Sequence, residues 1–150
     1  MLSSPKAEFE AKGKADFVTE VDLASERELI FNLQKTYPDH AFLCEESGLT
    51  GREDAEYVWI IDPLDGTSNF MRGIPHYCIS IACTKAGKVE HAVVLDPVRQ
   101  EEFTASRGRG AQLNGRRLRV SDRVDFKECL IGTGTPFLGH SEDRMAWYLK

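Results

Sequence analysis

The sequence predicts a mixed α/β fold built around a largely antiparallel sheet. A stripe of apolar residues at helical spacing runs over residues 22–37, and short β-branched and aromatic runs follow it. Two of those runs, residues 77–84 and 89–95, flank a short turn-forming segment, which is typical of an antiparallel hairpin. Asn114 and Gly115 form the strongest two-residue hairpin signal in the chain.

The predicted helix has signals at both of its ends. Asp22 and Ser25 are residue types that cap a helix start, and Pro38 cannot continue a helix. Residues 41–44 then form a short apolar run. This run predicts a buried strand that ends at Glu45.

The most apolar run lies at residues 57–61, where aromatic and β-branched residues follow one another without a polar break. Such a run is typical of a strand that is covered on both faces. Further strands are predicted for residues 102–105, 111–113 and 130–132, and residues 141–150 carry a helical pattern.

Length and charge limit the classes of function. A chain of 150 residues can bury a core of its own, so we expect one domain or one large part of a domain. The 19 Lys and Arg residues against 24 Asp and Glu residues give a net charge of −5. A broad electrostatic grip on nucleic acid needs clustered positive charge, so nucleic acid is not an expected partner.

The chain carries no signal for a membrane. No apolar run approaches the roughly 20 residues that cross a bilayer, and the first residues lack the apolar centre of a secretory signal. These features predict a cytoplasmic protein that does not contact a membrane. The four cysteines form no C-x-x-C pair and lie mostly in apolar runs, which predicts buried free thiols.

The segment after the most apolar run concentrates the chemistry. Asp62 and Asp65 place two carboxylates three residues apart at the end of a buried strand. A hard divalent cation such as Mg²⁺ takes carboxylate and carbonyl oxygens as ligands, and the Leu64 carbonyl is a candidate third oxygen. Gly66 permits a close backbone approach, and a helical turn that starts at Thr67 offers free N–H groups to a phosphate.

Simpler interpretations of these residues stay open at this stage. Asp62 and Pro63 are typical of the start of a turn, and Asp65 is a suitable helix N-cap. Glu45 and Glu46 are residues that most often lie in solvated loops. If the two buried strands are neighbours, however, Glu45 reaches the same rim of the sheet as the aspartates, which is where sheet proteins hold ligands.

Three segments resemble motifs of the inositol monophosphatase family, the metal-dependent and lithium-sensitive phosphatases. The first runs from Lys12 to Asp22 and contains Asp16-Phe17-Val18-Thr19; the second is Glu45-Glu46-Ser47; the third runs from Trp59 through Asp62-Pro63-Leu64-Asp65-Gly66-Thr67 to Phe70. The resemblance spans nearly the whole chain. It implies a layered α-β sandwich of the sugar phosphatase type.

The resemblance also implies a set of metal ligands. Glu45, Asp62 and the Leu64 carbonyl are expected to hold one Mg²⁺. Asp62 and Asp65 are expected to share a second ion, and Glu45 is expected to assist a third, weaker one.

The remaining roles concern the phosphate and the attacking water. The resemblance implies that the N–H groups of Gly66 and Thr67 bind the phosphate beside Asp65. The Thr67 hydroxyl, backed by Asp22, is expected to orient and help deprotonate the attacking water. Thr67, Asp22 and Glu45 are therefore the implied catalytic residues, and Lys12 corresponds to a lysine that points towards the phosphate or the outer metals.

The family's second signature, Trp-Asp-x-Ala-Ala-Gly, does not occur in this sequence. Its aspartate completes the second metal site in the family. We therefore interpret residues 1–150 as the N-terminal metal- and phosphate-binding part of such a phosphatase, without its C-terminal part.

The expected activity is Mg²⁺-dependent hydrolysis of inositol monophosphate or a related polyol or sugar phosphate, in a protein that is commonly a dimer among its relatives. Two alternatives stay open. One is a related phosphatase acting on histidinol phosphate or adenosine bisphosphate. The other is a phosphatase-fold protein whose main role is to bind a macromolecular partner, for which an arginine-rich hairpin region is the motivation.

Overall fold

The computed structural model describes residues 9–12 and 16–132, with side chains described from residue 20 onwards. Its elements are β1 (Phe9–Lys12), β2 (Asp16–Thr19), α1 (Glu20–Thr36), β3 (Ala41–Cys44), β4 (Gly48–Thr50), β5 (Tyr57–Asp65), α2 (Thr67–Met71), β6 (Cys78–Lys85), β7 (Lys88–Asp96), β8 (Glu101–Ser106), β9 (Gly110–Leu113), β10 (Arg116–Arg117) and a 3₁₀-helix (Phe126–Glu128).

Eight of the described strands form one sheet in the order β10-β9-β8-β7-β6-β5-β3-β4. Within this described sheet β3 and β5 pair in parallel, and every other neighbouring pair is antiparallel. Strands β1 and β2 form a separate antiparallel hairpin. The predicted mixed α/β fold with a largely antiparallel sheet is confirmed.

The two-residue turns have a backbone of positive φ, which asparagine and glycine favour and Ala86 does not. Ala86 and Gly87 connect β6 to β7 with φ angles of 46° and 76°, and Asn114 and Gly115 connect β9 to β10 with 48° and 75°. Asparagine and glycine adopt this left-handed region more readily than other residues, and two such residues in succession suit a two-residue hairpin. Both predicted hairpins are therefore present.

Four local predictions differ from the structure. Helix α1 begins at Glu20, so Asp22 and Ser25 lie inside it and do not cap its start. Strand β5 continues past residue 61 to Asp65, although Pro63 lies within it. Residues 130–132 form no strand, and Leu130 is 96% exposed, because no neighbouring strand pairs with this segment in the described part of the chain. Cys129 is exposed rather than buried, unlike Cys44 and Cys83. The predicted helix over residues 141–150 lies outside the described residues.

The core lies between α1 and one face of the sheet. Phe42, Cys44 and Ile61 form its buried centre, and the apolar stripe of α1 packs against them through Leu29, Ile30 and Leu33. Burial of a side chain such as Phe42 or Ile61 stabilises the fold by about 1.5–3 kcal/mol. The helix is thereby fixed across the pair of strands that ends in the acidic segments.

The helices of the described residues are too short or too polar to span a membrane.

Candidate metal and phosphate site

The parallel pairing of β3 and β5 brings two acidic segments to one edge of the sheet. Cys44 lies opposite Ile61 in the register, and the N–H of Glu45 donates to the Ile61 carbonyl at 3.2 Å. The next residue of β5 is Asp62. Two carboxylates that are far apart in the sequence are thus adjacent in space, as the neighbouring-strand interpretation expected.

The carboxyl groups of Glu45 and Asp62 are close enough to shift each other's pKa. Partial loss of hydration, followed by the charge of Asp62 and a hydrogen bond with its side chain, raises the pKa of Glu45 to about 7. Loss of hydration also raises the pKa of Asp62, and the charge of Asp65 adds to this, while the Leu64 N–H opposes it by donating to Asp62 Oδ1 at 3.1 Å. The side chain of Glu45 also lowers the pKa of Asp62 by a hydrogen bond, so the two carboxyl groups share a proton. Once that proton is lost, their like charges favour a cation between them.

A bulge in β5 arranges the next residues. The register against β6 shifts between Asp62 and Asp65, so that residues 63 and 64 leave the regular ladder. The Leu64 carbonyl accepts a hydrogen bond from the Thr67 hydroxyl at 2.9 Å. The Asp65 side chain is exposed, and Cys78 Sγ lies 3.8 Å from its Oδ2. The simple turn at Asp62 is therefore not what the structure contains.

Gly66 is required at the junction between β5 and α2. It has φ 98°, and a Cβ atom there would lie 3.0 Å from the His76 carbonyl oxygen and 3.1 Å from Tyr77 Cβ. Gly66 is also the N-cap of α2, with no side chain bonded to the helix start. The alternative in which Asp65 caps this helix is therefore wrong, and the Asp65 carboxylate is left for other contacts.

The first turns of α1 form the base of the site. Asp22 and Glu26 are 2% and 3% exposed, and the Ser25 hydroxyl donates to the Pro63 carbonyl at 3.4 Å. The charge of Asp22 contributes to the raised pKa of Glu45, so this carboxylate also faces the site. The sequence analysis did not single out Glu26, whose carboxylate accepts the backbone N–H groups of Glu46 and Ser47. The available signal was a charged residue on the apolar stripe of the helix.

Lys12 ends β1 and lies opposite Asp16 in the hairpin, and only its backbone belongs to the described part of the chain. Strand β2 lies beside α2, so the hairpin is near the segment that was expected to bind phosphate.

Among the described residues no three His, Cys, Asp or Glu side chains are close enough together to form a complete metal-binding group. The acidic residues that do come together are Glu45 and Asp62, and the charge of Asp65 raises the pKa of Asp62. A cleft of about 290 Å³ opens beside these two carboxylates. The donors are all oxygen atoms, which fits Mg²⁺ rather than a metal that prefers nitrogen or sulfur ligands.

The sequence profile of the inositol monophosphatase family matches residues 2–145. The chain belongs to the inositol monophosphatase family. The match includes every segment that forms the site described above.

Individual relatives agree with this assignment. The Nus factor SuhB of Pseudomonas aeruginosa is 57% identical over 141 residues, which are 93% of this chain and 52% of that protein. The crystal structure of the extragenic suppressor protein suhB from Bartonella henselae superposes with a TM-score of 0.86 at 40% identity, covering 95% of this chain and 54% of that one. An IMPase/NADP phosphatase solved with Mg²⁺ and phosphate has a TM-score of 0.68 at 32% identity, covering 74% and 43%. The chain spans about half the length of these relatives.

Proposed function

We propose that this chain provides the metal- and phosphate-binding half of a Mg²⁺-dependent phosphomonoesterase that acts on inositol monophosphate or a related polyol or sugar phosphate. The observation that carries the proposal is the contact between Glu45 and Asp62, which two parallel strands bring together. Membership of the inositol monophosphatase family supports the same reaction class. A relative solved with Mg²⁺ and phosphate supports the choice of metal.

Glu45, Asp62, Asp65 and the Leu64 carbonyl are the groups that would hold the metal. Bound Mg²⁺ supplies a Lewis acid that neutralises phosphate charge and makes water a better nucleophile. The protein orients these donors in advance. The Leu64 N–H fixes one oxygen of Asp62, and the β5 bulge turns the Leu64 carbonyl towards Thr67.

Thr67 is placed to orient the attacking water. Its hydroxyl donates to the Leu64 carbonyl, so its oxygen is left to accept a hydrogen bond from water. Asp22, buried at the base of the site, adds negative charge that makes the region attractive to cations.

The phosphate would lie at the start of α2. The first bonds within this turn run from Asn69 and Phe70 to the Gly66 carbonyl, so the amides of Gly66 and Thr67 precede them. N–H groups at such a position are suited to donate hydrogen bonds to an anion. Lys12 is a further candidate contact for the phosphate.

The proposed reaction is the hydrolysis of a phosphate monoester. A water oxygen forms a bond to phosphorus, the ester P–O bond breaks, and the alcohol leaves with a proton while inorganic phosphate is released. Because the charge spreads over the phosphoryl oxygens, positioning and charge neutralisation supply most of the rate.

The direct experiment measures phosphate release by the full-length protein with Mg²⁺ and inositol 1-phosphate. We expect release that depends on Mg²⁺, is inhibited by Li⁺ and is lost in Asp65→Asn. Asp54→Asn is the matched control, because Asp54 is an exposed aspartate paired with Arg52 away from the site. Activity that is unchanged in Asp65→Asn would remove the mechanism. Histidinol phosphate and adenosine bisphosphate in the same assay distinguish the sibling substrates.

A second candidate function is binding to a macromolecular partner. Its support is the name of two relatives, from Pseudomonas aeruginosa and Escherichia coli, which are called Nus factor SuhB. The region from β8 to β10 and the segment after it supply a surface rich in arginine, namely Arg107, Arg109, Arg116, Arg117 and Arg119. Arg107 is engaged with Glu90, whereas Arg116 and Arg117 form an exposed edge strand.

The two functions can be separated by charge reversal. We expect Arg116→Glu/Arg117→Glu to keep phosphatase activity, because β10 lies at the opposite edge of the described sheet from β3. If the edge binds a partner, the same variant loses that partner in a pull-down. Arg27→Glu/Lys35→Glu makes an equal charge change on the exposed side of α1 and is the control. Retention of the partner by both variants would exclude this surface.

We further propose that the protein is cytoplasmic and that it forms a homodimer. The four cysteines are free, which suits a reducing compartment.

A further inference from the structure

Glu26 is a buried carboxylate that holds the turn after β3. It lies on the second turn of α1 and is 3% exposed. Its Oε2 accepts the backbone N–H of Glu46 at 3.0 Å, and its Oε1 accepts that of Ser47 at 3.1 Å. Both carboxylate oxygens are therefore engaged by two consecutive amides of the segment that follows Glu45.

These bonds fix the backbone on both sides of Glu45. On the sheet side, the N–H of Glu45 itself donates to the Ile61 carbonyl. On the other side, the next two amides are held by Glu26. A residue held in this way has little freedom in φ and ψ, so the direction of its side chain is set by the fold.

A charged residue at this position is unfavourable for the core alone. Leu29, Ile30 and Leu33 of the same helix pack on the buried centre, and an apolar residue at position 26 would suit that stripe better. The charge also acts on its neighbours, since burial first and then the Glu26 carboxylate raise the pKa of Cys44 to about 11. The two amides of the turn account for a carboxylate here.

We propose that Glu26 is a positioning residue that aims the Glu45 carboxylate at Asp62 by fixing the turn of residues 45–47, and that it thereby sets the affinity of the site for its divalent cation. This inference rests on the proposed function, because it concerns the same cation. Glu26 acts through Glu45, since both of its own oxygens are bound to backbone amides.

The test is a calorimetric titration of the full-length protein with Mg²⁺ alone. Glu26→Gln keeps the shape but loses one acceptor oxygen, and Glu26→Asp keeps the charge but is too short to reach both amides. We expect both variants to bind Mg²⁺ about 10–100-fold more weakly, as residues that orient metal ligands do. Glu28→Gln, on the exposed side of the same helix, is the control and should stay within about twofold of wild type.

A double variant separates positioning from a general loss of stability. In the Glu45→Gln background, Glu26→Gln should weaken Mg²⁺ binding by less than about twofold, because the ligand on which it acts is already gone. Amide exchange at Glu46 and Ser47 should be faster in both single variants. Circular dichroism checks that each variant is folded. If Glu26→Gln does not fold, Glu26→Asp is used in its place.

Two results would count against different claims. Folded Glu26 variants that bind Mg²⁺ as wild type does, or a Glu26→Gln effect that is fully retained in the Glu45→Gln background, would overturn the positioning role. A wild-type protein that neither binds Mg²⁺ nor releases phosphate would overturn the proposed function instead.

Discussion

The two ends of the β3–β5 pair satisfy their polar groups in opposite ways. Where the strands begin, the ring of His40 is stacked between Tyr37 and Tyr57 at centroid distances of 4.9 and 4.7 Å. Trp59 Nε1 donates to His40 Nδ1 at 3.0 Å, so these two half-buried ring nitrogens are partners of each other. This end contributes stability without needing a ligand.

Where the same strands end, like charges meet. Glu45 and Asp62 are in contact, and both have a raised pKa. Among the ion pairs formed within residues 20–132, none involves Glu45, Asp62 or Asp65. One strand pair is thus stabilising at its start and unfavourable at its end. A bound cation would relieve the unfavourable cluster of carboxylate oxygens.

The largest expected effect is the loss of phosphatase activity in Asp62→Asn. Asparagine can still accept the Leu64 N–H, but the site loses one charge. We expect phosphatase activity to fall about 10³-fold, because metal-assisted charge stabilisation is worth several kcal/mol. At pH 8, where Glu45 has lost its proton, the metal-free protein should unfold at a higher temperature, since the repulsion between Glu45 and residue 62 is gone. Phosphate release and thermal unfolding in chelator measure both effects, and a lower unfolding temperature would contradict the comparison.

The next effect concerns the glycines on either side of the site. Gly66→Ala should destabilise the protein by about 3 kcal/mol, from the left-handed backbone and from the contact of the new Cβ with the His76 carbonyl. Gly48→Ala is the matched control, because Gly48 also has a positive φ but no atom within 4 Å of its Cβ position. It should cost about 1 kcal/mol. Equal losses in chemical denaturation would show that the close packing at Gly66 is unimportant.

A smaller effect is expected from pH. The folded, metal-free protein keeps a proton on Glu45 up to about pH 7, whereas the ordinary pKa of 4.5 releases it earlier in the unfolded chain. The free energy of unfolding without metal should therefore fall as the pH rises from 5 to 8. Over pH 6 to 8, Mg²⁺ binding should strengthen about tenfold, because the proton that competes with it is lost. Calorimetry at both pH values measures this, and affinity independent of pH would contradict it.

The smallest effect is at the aromatic end. Trp59→Phe removes the N–H that bonds to His40 but keeps an aromatic ring in the cluster. We expect a loss of about 1 kcal/mol in the free energy of unfolding, measured by denaturant titration. The activity at saturating Mg²⁺ should be unchanged within about twofold. A large loss of activity would mean that the two ends are not independent.

Much of this arrangement is predictable from the sequence because local patterns determine it. The helix, the hairpins and the acidic residues after two apolar strands all follow from periodicity and turn residues. The course of β5 is different, since Pro63 is typical of a turn, yet the strand continues because Asp62 and Asp65 on either side of the bulge both pair with β6. A tertiary contact therefore overrides the local signal there.

The role of Glu26 could not be predicted for a similar reason. Its two partners are 20 and 21 residues away in the sequence, and the contact exists only because α1 packs across β3. The exposure of Cys129 likewise depends on which neighbours pack against it, a property that composition does not record. The local sequence indicates which residues can bind a metal. Their orientation depends on how the helices and strands pack together.

The segment that links the two acidic strands has a consequence for how the chain can vary. Residues 51–56 form an exposed connection on the aromatic side of the sheet, remote from the carboxylates. Lengthening a solvent-exposed loop costs little entropy, and the register of the flanking strands is set by their own ladder. An insertion in this stretch should therefore leave Glu45, Asp62 and Asp65 where they are, while the outer surface beside it changes.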